Sequence, residues 1–472
     1  MADGEVRVEP IAIARLAALL GRERAEQFTR TAERARETLT GRQVVNVNST
    51  ATGGGVAELL QTLLAYGRGA GVDARWLVIE GDAAFFEITK RIHNRLYGAP
   101  GDGGPLGAAE RRHFEEVAGR NASHIDAVVR AGDIVVLHDP QTAGLAHHVR
   151  RAGATVIWRC HVGVDRQNEH SEQAWAFLAP CLDDLDGYVF SRSQFVPSHV
   201  PAEQVAVIPP SIDPFSSKNE IIEPALVTRL LLQVGLLTDG DDGTPVSFVR
   251  RDGSSGSATR PVDLLGTGPP PHPSVPIVLQ VSRWDALKDM RGVMVGFAEF
   301  VAAHTDAHLM LAGPEARGVA DDPEAEEVLR ECLAAWARLP EAIRTRVHLA
   351  CVPMDDADEA ATIVNALQRH ASVVVQKSLA EGFGLTVSEA MWKERSVVGS
   401  AVGGIVDQIT EGLTGSLVDA HDLERYAQAV RALLADPQRA RQMGMAGRAR
   451  VRDHFLGDRH LEQWAELFDR LA

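Results

Sequence analysis

The chain contains little cysteine and has no long apolar run. Its four cysteines, at positions 160, 181, 332 and 351, are widely and irregularly spaced. This spacing argues against a disulfide framework and against a paired-cysteine metal site, so we expect four buried thiols. No apolar run reaches the roughly 18 residues of a membrane-spanning helix, and the start of the chain is acidic rather than basic. We therefore predict a cytoplasmic protein without membrane insertion.

Positive charge is also in deficit. Lysine and arginine total 48 residues against 64 aspartates and glutamates, which gives a formal net charge of -16. Because nucleic-acid phosphates require a basic surface, this balance argues against a nucleic-acid partner. An anionic ligand would have to meet positive charge that is concentrated locally.

Common cofactor motifs are missing as well. Neither Gly53-Gly54-Gly55 nor Gly382-Phe383-Gly384 has the GxGxxG spacing, which disfavours a dinucleotide-dependent dehydrogenase, and a P-loop is absent. The acidic run Asp355-Asp356-Ala357-Asp358 is better explained as a solvated helix start than as a magnesium site. We predict no metal site.

What the chain does have is the composition of a folded α/β protein. Its 472 residues exceed one ordinary core, and 45% apolar with 24% charged residues is typical of a globular chain. Apolar strand-like runs alternate with helical patterns in both halves. The predicted strands cover residues 43–48, 75–79, 133–137, 155–158 and 187–190 in the first half, and 277–282, 308–312, 347–352, 372–375 and 396–400 in the second. This alternation predicts two Rossmann-like, doubly wound parallel sheets facing each other across an interdomain cleft.

The domain boundary is predicted at the stiff segment PPSIDP, residues 209–214. Residues 1–210 would form the N-terminal domain and 211–450 the C-terminal one, while 451–472 would form a helix that packs back towards the N-terminal domain. Within the second domain, residues 238–274 are rich in Gly, Asp, Ser and Pro. We expect them to form a flexible excursion rather than a core element.

The most informative segment is QKSLAEGFGLTVSEAMW, residues 376–392. It places a glycine turn between a buried strand and a helix that begins near Thr386, which is where an α/β sheet offers backbone N–H groups to an anion. Gly382 and Gly384 allow the backbone to approach phosphate closely. Glu381 and Glu389 can accept hydrogen bonds from sugar hydroxyls. Thr386-x-x-Glu389 also fits a capping box, so a purely structural role for Glu389 stays open.

Other polar residues fall at predicted strand ends. In the first half they are Asn48, His138, Asp139, His161 and Arg192, and in the second half Arg283 and Lys288. Arg283 and Lys288 can address a diphosphate from one side, although Lys288 can instead pair with Asp285 on a helix surface. Asp139 can simply cap a helix that begins near Gln141, and a lone histidine such as His161 is often structural.

Together these segments carry a resemblance to a known family. The most specific ones are VVNVNSTATGGGVAELL (44–60), WLVIEGDAAFF (76–86), LHDPQTAGL (137–145), WRCHVGVD (158–165), PPSIDP, SRWDALKD (282–289) and QKSLAEGFGLTVSEAMW. Over nearly its whole length the chain resembles the trehalose-forming retaining glycosyltransferases of family 4, which have the GT-B fold and are close to the trehalose phosphorylases.

The resemblance implies a role for each candidate residue. The implied catalytic residues are Glu381, His161, Arg283 and Lys288. Donor binding falls to Gly54, Gly55, Phe383, Gly384, Leu385, Thr386 and Glu389, and acceptor binding to Asn48, Glu80, His138 and Asp139. The donor would be a nucleoside diphosphate glucose, and transfer would need no metal or other cofactor.

The implied reaction is retaining transfer of glucose to glucose, which forms trehalose. The partners would be small-molecule sugars and nucleotide sugars, and a homodimer is one assembly compatible with the sequence. Two alternatives remain: a phosphate-dependent trehalose phosphorylase, and a sugar-nucleotide-binding protein without catalysis. The sequence does not identify the nucleotide base.

Overall fold

A computed structural model describes residues 4–52, 54–183, 185–239, 245–251, 253–266, 268–316 and 324–471. The chain divides into two compact units. Unit 1 comprises Met1–Ile212, Glu381–Phe383 and Phe455–Ala472, and unit 2 comprises Asp213–Ala380 and Gly384–His454. The main division therefore falls within the PPSIDP segment. Each unit is an α/β domain, and together they have the GT-B fold that the sequence predicts.

Unit 1 is built on a six-stranded parallel sheet. Its strands are β1 (Gln43–Asn48), β2 (Asp73–Val78), β3 (Ile134–His138), β4 (Thr155–Cys160), β5 (Gly187–Phe190) and β6 (Val205–Val207). They lie in the order β2-β1-β3-β4-β5-β6. The order reverses at β1, so the ends of β1 and β3 form the switch point where α/β sheets bind ligands.

Helices cover both faces of this sheet. They are α1 (Ala14–Ala17), α2 (Arg22–Thr38), α3 (Gly54–Gly69), α4 (Ala83–Leu96), α5 (Ala108–Asp126), α6 (Asp139–Thr142), α7 (Ala146–Arg151) and α8 (Glu169–Leu182). The C-terminal residues Trp464, Leu467 and Phe468 pack with Val44 and Ile134 in one core cluster of this unit. These apolar contacts explain why the end of the chain belongs to unit 1.

Unit 2 has a seven-stranded sheet and a separate hairpin. The strands are β7 (Ser247–Val249), β8 (Ser255–Ser257), β9 (Asp263–Leu265), β10 (Ile277–Val281), β11 (His308–Pro314), β12 (Val347–Val352), β13 (Val373–Gln376), β14 (Val397–Ser400) and β15 (Ser416–Val418). The large sheet has the order β15-β14-β13-β10-β11-β12-β9, and β7 pairs with β8. Its switch point lies between β10 and β13.

The remaining helices complete the two units. They are α9 (Pro224–Gln233), α10 (Met290–Phe300), α11 (Ala325–Ala337), α12 (Glu341–Arg344), α13 (Ala357–His370), α14 (Leu385–Trp392), α15 (Gly403–Gln408), α16 (Leu423–Ala435) and α17 (Pro437–His454) in unit 2, and α18 (Gly457–Leu471) in unit 1. No helix in the described ranges combines the length and apolarity that crossing a membrane requires.

One prediction about unit 2 needs correction. Within residues 238–274, β9 (Asp263–Leu265) pairs antiparallel with β12 at the edge of the main sheet. The expectation that this segment contributes no core element is therefore wrong for β9. The edge strand β12 leaves backbone groups to be paired, and β9 satisfies them. Residues 240–244, 252 and 267 of this segment lie outside the described residues.

Two smaller predictions are confirmed. All four cysteines are buried free thiols. Asp356 is the N-cap of α13, where its carboxylate accepts the backbone N–H groups of Asp358 and Glu359. The acidic run thus has a structural role at a helix start.

Among the described residues, no group of three or more His, Cys, Asp or Glu side chains could hold a metal ion.

Candidate active site

The first group of candidate residues follows β13 at the switch point of unit 2. Four buried residues form this strand. The chain then leads to Gly384, which is the N-cap of α14 and has a φ of 82°. Glycine adopts this left-handed conformation without the penalty that a Cβ would impose. Gly384, Leu385 and Thr386 are partly exposed, so the start of α14 is accessible to a ligand. An exposed helix start with a glycine cap suits a phosphate group.

Glu389 lies on the buried side of the same helix. No side chain caps α14, so the capping-box interpretation of Thr386 and Glu389 is wrong. The carboxylate of Glu389 is instead 3.7 Å from Nζ of Lys218. Lys393 also lies on this side, where its ammonium group donates to Asn219 at 2.8 Å and to Gln368 at 2.7 Å. Burial lowers the pKa of Lys393 well below its ordinary value.

Arg283 and Lys288 follow β10, the neighbouring strand at the switch point. One edge of the Arg283 guanidinium lies 3.2 Å from the carboxylate of Asp285. Asp285 in turn accepts the backbone N–H of Leu287 at 2.9 Å and so shapes the turn that carries Lys288. Both cationic side chains are partly exposed, and a guanidinium has further N–H donors for a second anion. The start of α14 and the two cations therefore follow two paired strands at one switch point, β13 and β10 respectively.

The second group of candidates lies at the switch point of unit 1. The imidazoles of His138 and His161 contact each other, with 2.9 Å between Nδ1 of His138 and Nε2 of His161. Nε2 of His138 is 3.0 Å from Oδ1 of Asn46. Burial lowers the pKa of His138 to about 3 and holds the pKa of His161 well below its ordinary value. Both rings are therefore neutral near pH 7.

Asp139 is the next residue along. Its carboxylate accepts the backbone N–H of His161 at 2.7 Å, and it does not cap α6, whose N-cap is His138. The interpretation of Asp139 as a helix cap is therefore wrong. Its φ of 60° is unusual for a residue with a side chain. Burial raises the pKa of Asp139 to about 7, although its hydrogen bond to His161 and the charge of Arg159 act in the opposite direction.

The remaining acceptor candidates have protein partners. The Asn48 amide donates to the carbonyl of Thr50 at 2.8 Å and accepts the indole N–H of Trp76 at 2.7 Å. Glu80 is exposed and exchanges hydrogen bonds with the Asn121 side chain through its backbone. These contacts hold the Asn48 side chain at the end of β1, and they fix the backbone of Glu80.

The glycine segment after β1 leads directly into a helix, and its described residues Gly54 and Gly55 are exposed. Gly54 and Gly55 are the first residues of α3, and Gly54 has a φ of 77°. Gly53 lies outside the described residues. A Cβ on Gly54 would meet no atom within 4 Å, so the positive φ rather than crowding favours glycine there.

The segment Glu381–Phe383 belongs to unit 1, as the two histidines do, and it passes close to His161. A Cβ on Gly382 would lie 2.5 Å from the carbonyl oxygen of His161 and 3.0 Å from the Tyr97 hydroxyl. The Phe383 ring packs edge-on against Phe455, with 5.5 Å between centroids. Glu381 itself is 8% exposed. The backbone beside Glu381 therefore runs directly past His161.

Sequence reasoning missed several polar residues around these groups. They are Asn46 beside His138, Arg159 beside Asp139, Lys218 beside Glu389, and Lys377 beside Asp289. Asn46 and Lys377 had a readable signal, because each is a polar residue within or directly after a buried strand. The partner of each was not readable, since all of these contacts join distant parts of the chain.

Comparisons with known proteins match both halves of the chain. Residues 46–197 match the family described as "Trehalose synthase, N-terminal domain", and residues 270–450 match "Glycosyl transferases group 1". The trehalose synthase of Pyrococcus horikoshii is 32% identical over 95% of this chain and 94% of its own length. That of Rubrobacter xylanophilus is 35% identical over 92% and 91%.

More distant proteins share either the sequence pattern or the fold. The trehalose phosphorylase of Grifola frondosa is 25% identical over 86% of this chain, which spans 54% of that protein. The α,α-trehalose 6-phosphate synthase of Burkholderia multivorans has a TM-score of 0.66 at 13% identity, covering 91% of this chain and 98% of the other. Anabaena HepE, solved in complex with UDP and glucose, has a TM-score of 0.61 at 14% identity, covering 91% and 100%.

The two structures share the GT-B fold with this chain at low identity. The trehalose synthases, in contrast, match it above 30% identity over almost the entire length of both proteins. The two family models cover the segments that carry both groups of candidate residues. The chain belongs to the trehalose synthase family of glycosyltransferases.

Proposed function

We propose that this protein transfers glucose from a nucleoside diphosphate glucose to glucose, with retention of configuration, and so forms α,α-trehalose. The observation that carries the proposal is the coincidence of the candidate residues with the switch points of both sheets. Such points are where α/β sheets bind their ligands. The family membership supports the same choice, as do the UDP and glucose bound in Anabaena HepE, a structure of the same fold.

In the proposed complex, unit 2 holds the donor. The diphosphate accepts hydrogen bonds from the backbone at the start of α14, from Gly384 to Thr386, and is neutralised by Arg283 and Lys288. Arg283, which lies beside Asp285, donates to the phosphate in this proposal. Glu389 accepts hydrogen bonds from the ribose hydroxyls. These interactions gain strength as the leaving diphosphate gains negative charge, which favours the transition state.

Unit 1 supplies the groups for the sugars. Neutral His161, Asp139 and the carboxylate of Glu80 orient sugar hydroxyls, while His138 holds His161. Gly54 and Gly55 line the same end of the sheet. Glu381 and Phe383 contact the transferred glucose, and the Glu381 carboxylate stabilises positive charge at its anomeric carbon. Asn48, which Thr50 and Trp76 hold at the end of β1, belongs to the same acceptor-binding group.

In the proposed reaction, one bond breaks and one bond forms at the anomeric carbon of the transferred glucose. The bond between the anomeric carbon and the diphosphate oxygen breaks, and the acceptor hydroxyl oxygen forms its bond to the same carbon on the same face. The hydroxyl proton passes to the departing phosphate. No metal or further cofactor takes part, and positioning together with electrostatic stabilisation supplies most of the rate. The cytoplasmic location inferred from the sequence remains part of the proposal.

Direct assay of the products tests this function. The protein is incubated with glucose and with UDP-, ADP- or GDP-glucose in parallel, and trehalose and nucleoside diphosphate are both quantified. Equal amounts of the two products with at least one donor support the transferase and identify its nucleotide. A protein that binds nucleotide sugar and releases neither product is a binding protein, which refutes the proposal.

A second incubation addresses the phosphorylase, because the chain is similar to trehalose phosphorylase over 86% of its length. Trehalose and inorganic phosphate would then yield glucose and α-glucose 1-phosphate without any nucleotide. Robust turnover in this assay, with none from nucleotide donors, replaces the proposed reaction by the phosphorylase reaction.

A further inference from the structure

Lys377 is the first residue after β13, and its side chain is 1% exposed. Its ammonium group contacts the carboxylate of Asp289 and donates to the carbonyl of Ala420 at 2.6 Å. Removing an ammonium group from water is unfavourable unless close partners compensate for the lost hydration. Lys377 is thus a fixed connection between three segments of unit 2, and it is not a surface charge.

A second buried residue connects the same segments. Gln280, fully buried in β10, donates from its amide to the carbonyl of Lys288 at 2.7 Å. The amide oxygen of Gln280 accepts the backbone N–H of Lys377 at 3.1 Å. Two residues further on, the backbone N–H of Leu379 donates to the carbonyl of Leu287 at 2.8 Å. The turn at residues 285–289 is therefore joined to residues 377–379 by several independent hydrogen bonds.

Asp289 occupies a special position in this turn. Its φ of 47° is left-handed, a conformation that is unfavourable for a residue with a Cβ. Its carboxylate also accepts the backbone N–H of Gly292 at 3.0 Å and so caps α10. The charge of Lys377 holds this strained residue in place, and the preceding residue in the chain is Lys288.

We propose that Lys377 is a positioning residue for the donor diphosphate. Through Asp289 and Gln280 it fixes the turn that presents Lys288, and it touches neither the donor nor the acceptor itself. The inference rests on the proposed function, because it takes Lys288 to be a diphosphate ligand. It goes further, because it states that the ion pair between Lys377 and Asp289 determines where Lys288 is placed relative to the diphosphate.

The test compares three variants at this connection. Lys377→Met removes the charge, Lys377→Arg retains it, and Asp289→Asn weakens the ion pair while keeping a residue type that caps helices and tolerates a left-handed backbone. Affinity for the nucleoside diphosphate alone, measured by calorimetry, needs no turnover. We expect Lys377→Met to raise this Kd and the donor KM about tenfold, with the glucose KM unchanged. Lys377→Arg should recover much of the affinity, and Asp289→Asn should show a smaller loss.

A second ion pair with one fully buried member provides the matched control. In unit 1, Nη2 of Arg24 is 2.8 Å from the fully buried carboxylate of Asp458. Arg24→Met should lower the melting temperature without raising the Kd for the nucleoside diphosphate. Equal loss of affinity in Arg24→Met and Lys377→Met would mean that general destabilisation explains the effect, and the inference would be overturned.

The outcomes separate this inference from the proposed function. If the unaltered protein binds none of UDP, ADP and GDP, the proposed function fails. If it binds one of them and folded Lys377→Met binds it equally well, only the positioning role fails. Should Lys377→Met not fold, Asp289→Asn decides: unchanged Kd overturns the inference, and a raised Kd with an unchanged glucose KM supports it.

Discussion

The imidazole rings of His138 and His161 lie edge to edge with nearly parallel planes: the centroids are 5.3 Å apart, the planes are inclined by 15°, and Nδ1 of His138 is 2.9 Å from Nε2 of His161. Asn46 Oδ1 is an acceptor, so Nε2 of His138 carries a hydrogen and Nδ1 of His138 accepts from Nε2–H of His161. Asn46, a residue of β1, therefore sets the direction of both hydrogen bonds. The lowered pKa values of the two rings keep both of them neutral near pH 7. This leaves Nδ1 of His161 as a proton acceptor for a bound sugar hydroxyl.

The neutrality of His138 has a consequence for acid stability. Its pKa falls from the ordinary 6.5 to about 3 in the folded chain. The unfolded chain therefore binds more protons between these values, so stability is full above about pH 6.5 and declines as the pH falls towards 3. At about pH 5 the loss from this one group is of the order of 2 kcal/mol.

His138→Asn tests this contribution. When the pH is lowered from about 7.5 to about 5, we expect the melting temperature of the variant to fall less than that of the unaltered protein. Calorimetry at both pH values measures the two falls. His161 and His460 also have pKa values well below the ordinary one and remain in both proteins, so the difference reports on His138. An identical fall in both proteins would contradict the assignment.

Gly382→Ala should impair activity through a steric effect. The new Cβ would lie 2.5 Å from the His161 carbonyl oxygen, an atom of the backbone that cannot rotate away. The loop must therefore shift, and displacements near 1 Å at such sites cost up to about a hundredfold in rate. Initial-rate kinetics measure the effect.

Gly119→Ala is the control for this substitution. Gly119 lies in α5 of unit 1, and a Cβ there meets no atom within 4 Å. This variant should retain the full rate. If Gly382→Ala is as active as Gly119→Ala, the close approach to His161 has no role in turnover.

Glu381→Ala should reduce turnover far more than donor affinity. A carboxylate that stabilises charge only in the transition state contributes to kcat, and loss of such a group typically costs about 10²–10³ in rate. The donor KM should change by less than about threefold. Steady-state kinetics at saturating glucose separate the two effects, and near-normal kcat would remove Glu381 from the proposed mechanism.

Glu389→Gln should impair donor binding more than turnover. Glu389 is proposed to bind ribose in the ground state and the transition state alike, so its loss should raise the donor KM about tenfold with little change in kcat. Gln retains the size of the side chain and part of its hydrogen bonding. A large fall in kcat with unchanged KM would mean that Glu389 acts on the reacting sugar and does not bind the ribose.

Much of the fold was readable because its signals are local. Ten predicted strands correspond to β1–β5 and β10–β14 within two residues at most ends, since apolar runs bounded by glycine and polar residues mark buried parallel strands. β9 was missed because its three residues, Asp263–Leu265, carry no such pattern. Its strand character comes from β12, which offers an unpaired edge.

The candidate site was readable in part. Strand ends predict where polar residues gather, and His138 and His161 do contact each other. Local alternatives gave the wrong explanation for Glu389 and Asp139, because a cap was expected from neighbouring residues. Their actual partners are Lys218 and the backbone of His161, both far along the chain.

The sequence by itself determined the order of strands and helices, the glycine turn before α14 and the residues at the strand ends, because backbone preference and the period of apolar residues act over a few positions. Only the tertiary structure decided which polar groups meet. Lys377 and Asp289 are 88 residues apart, yet they form one buried ion pair. Burial then fixed the charge of His138 and raised the pKa of Asp139 to about 7, since a pKa depends on the solvent and neighbours that packing leaves around a group.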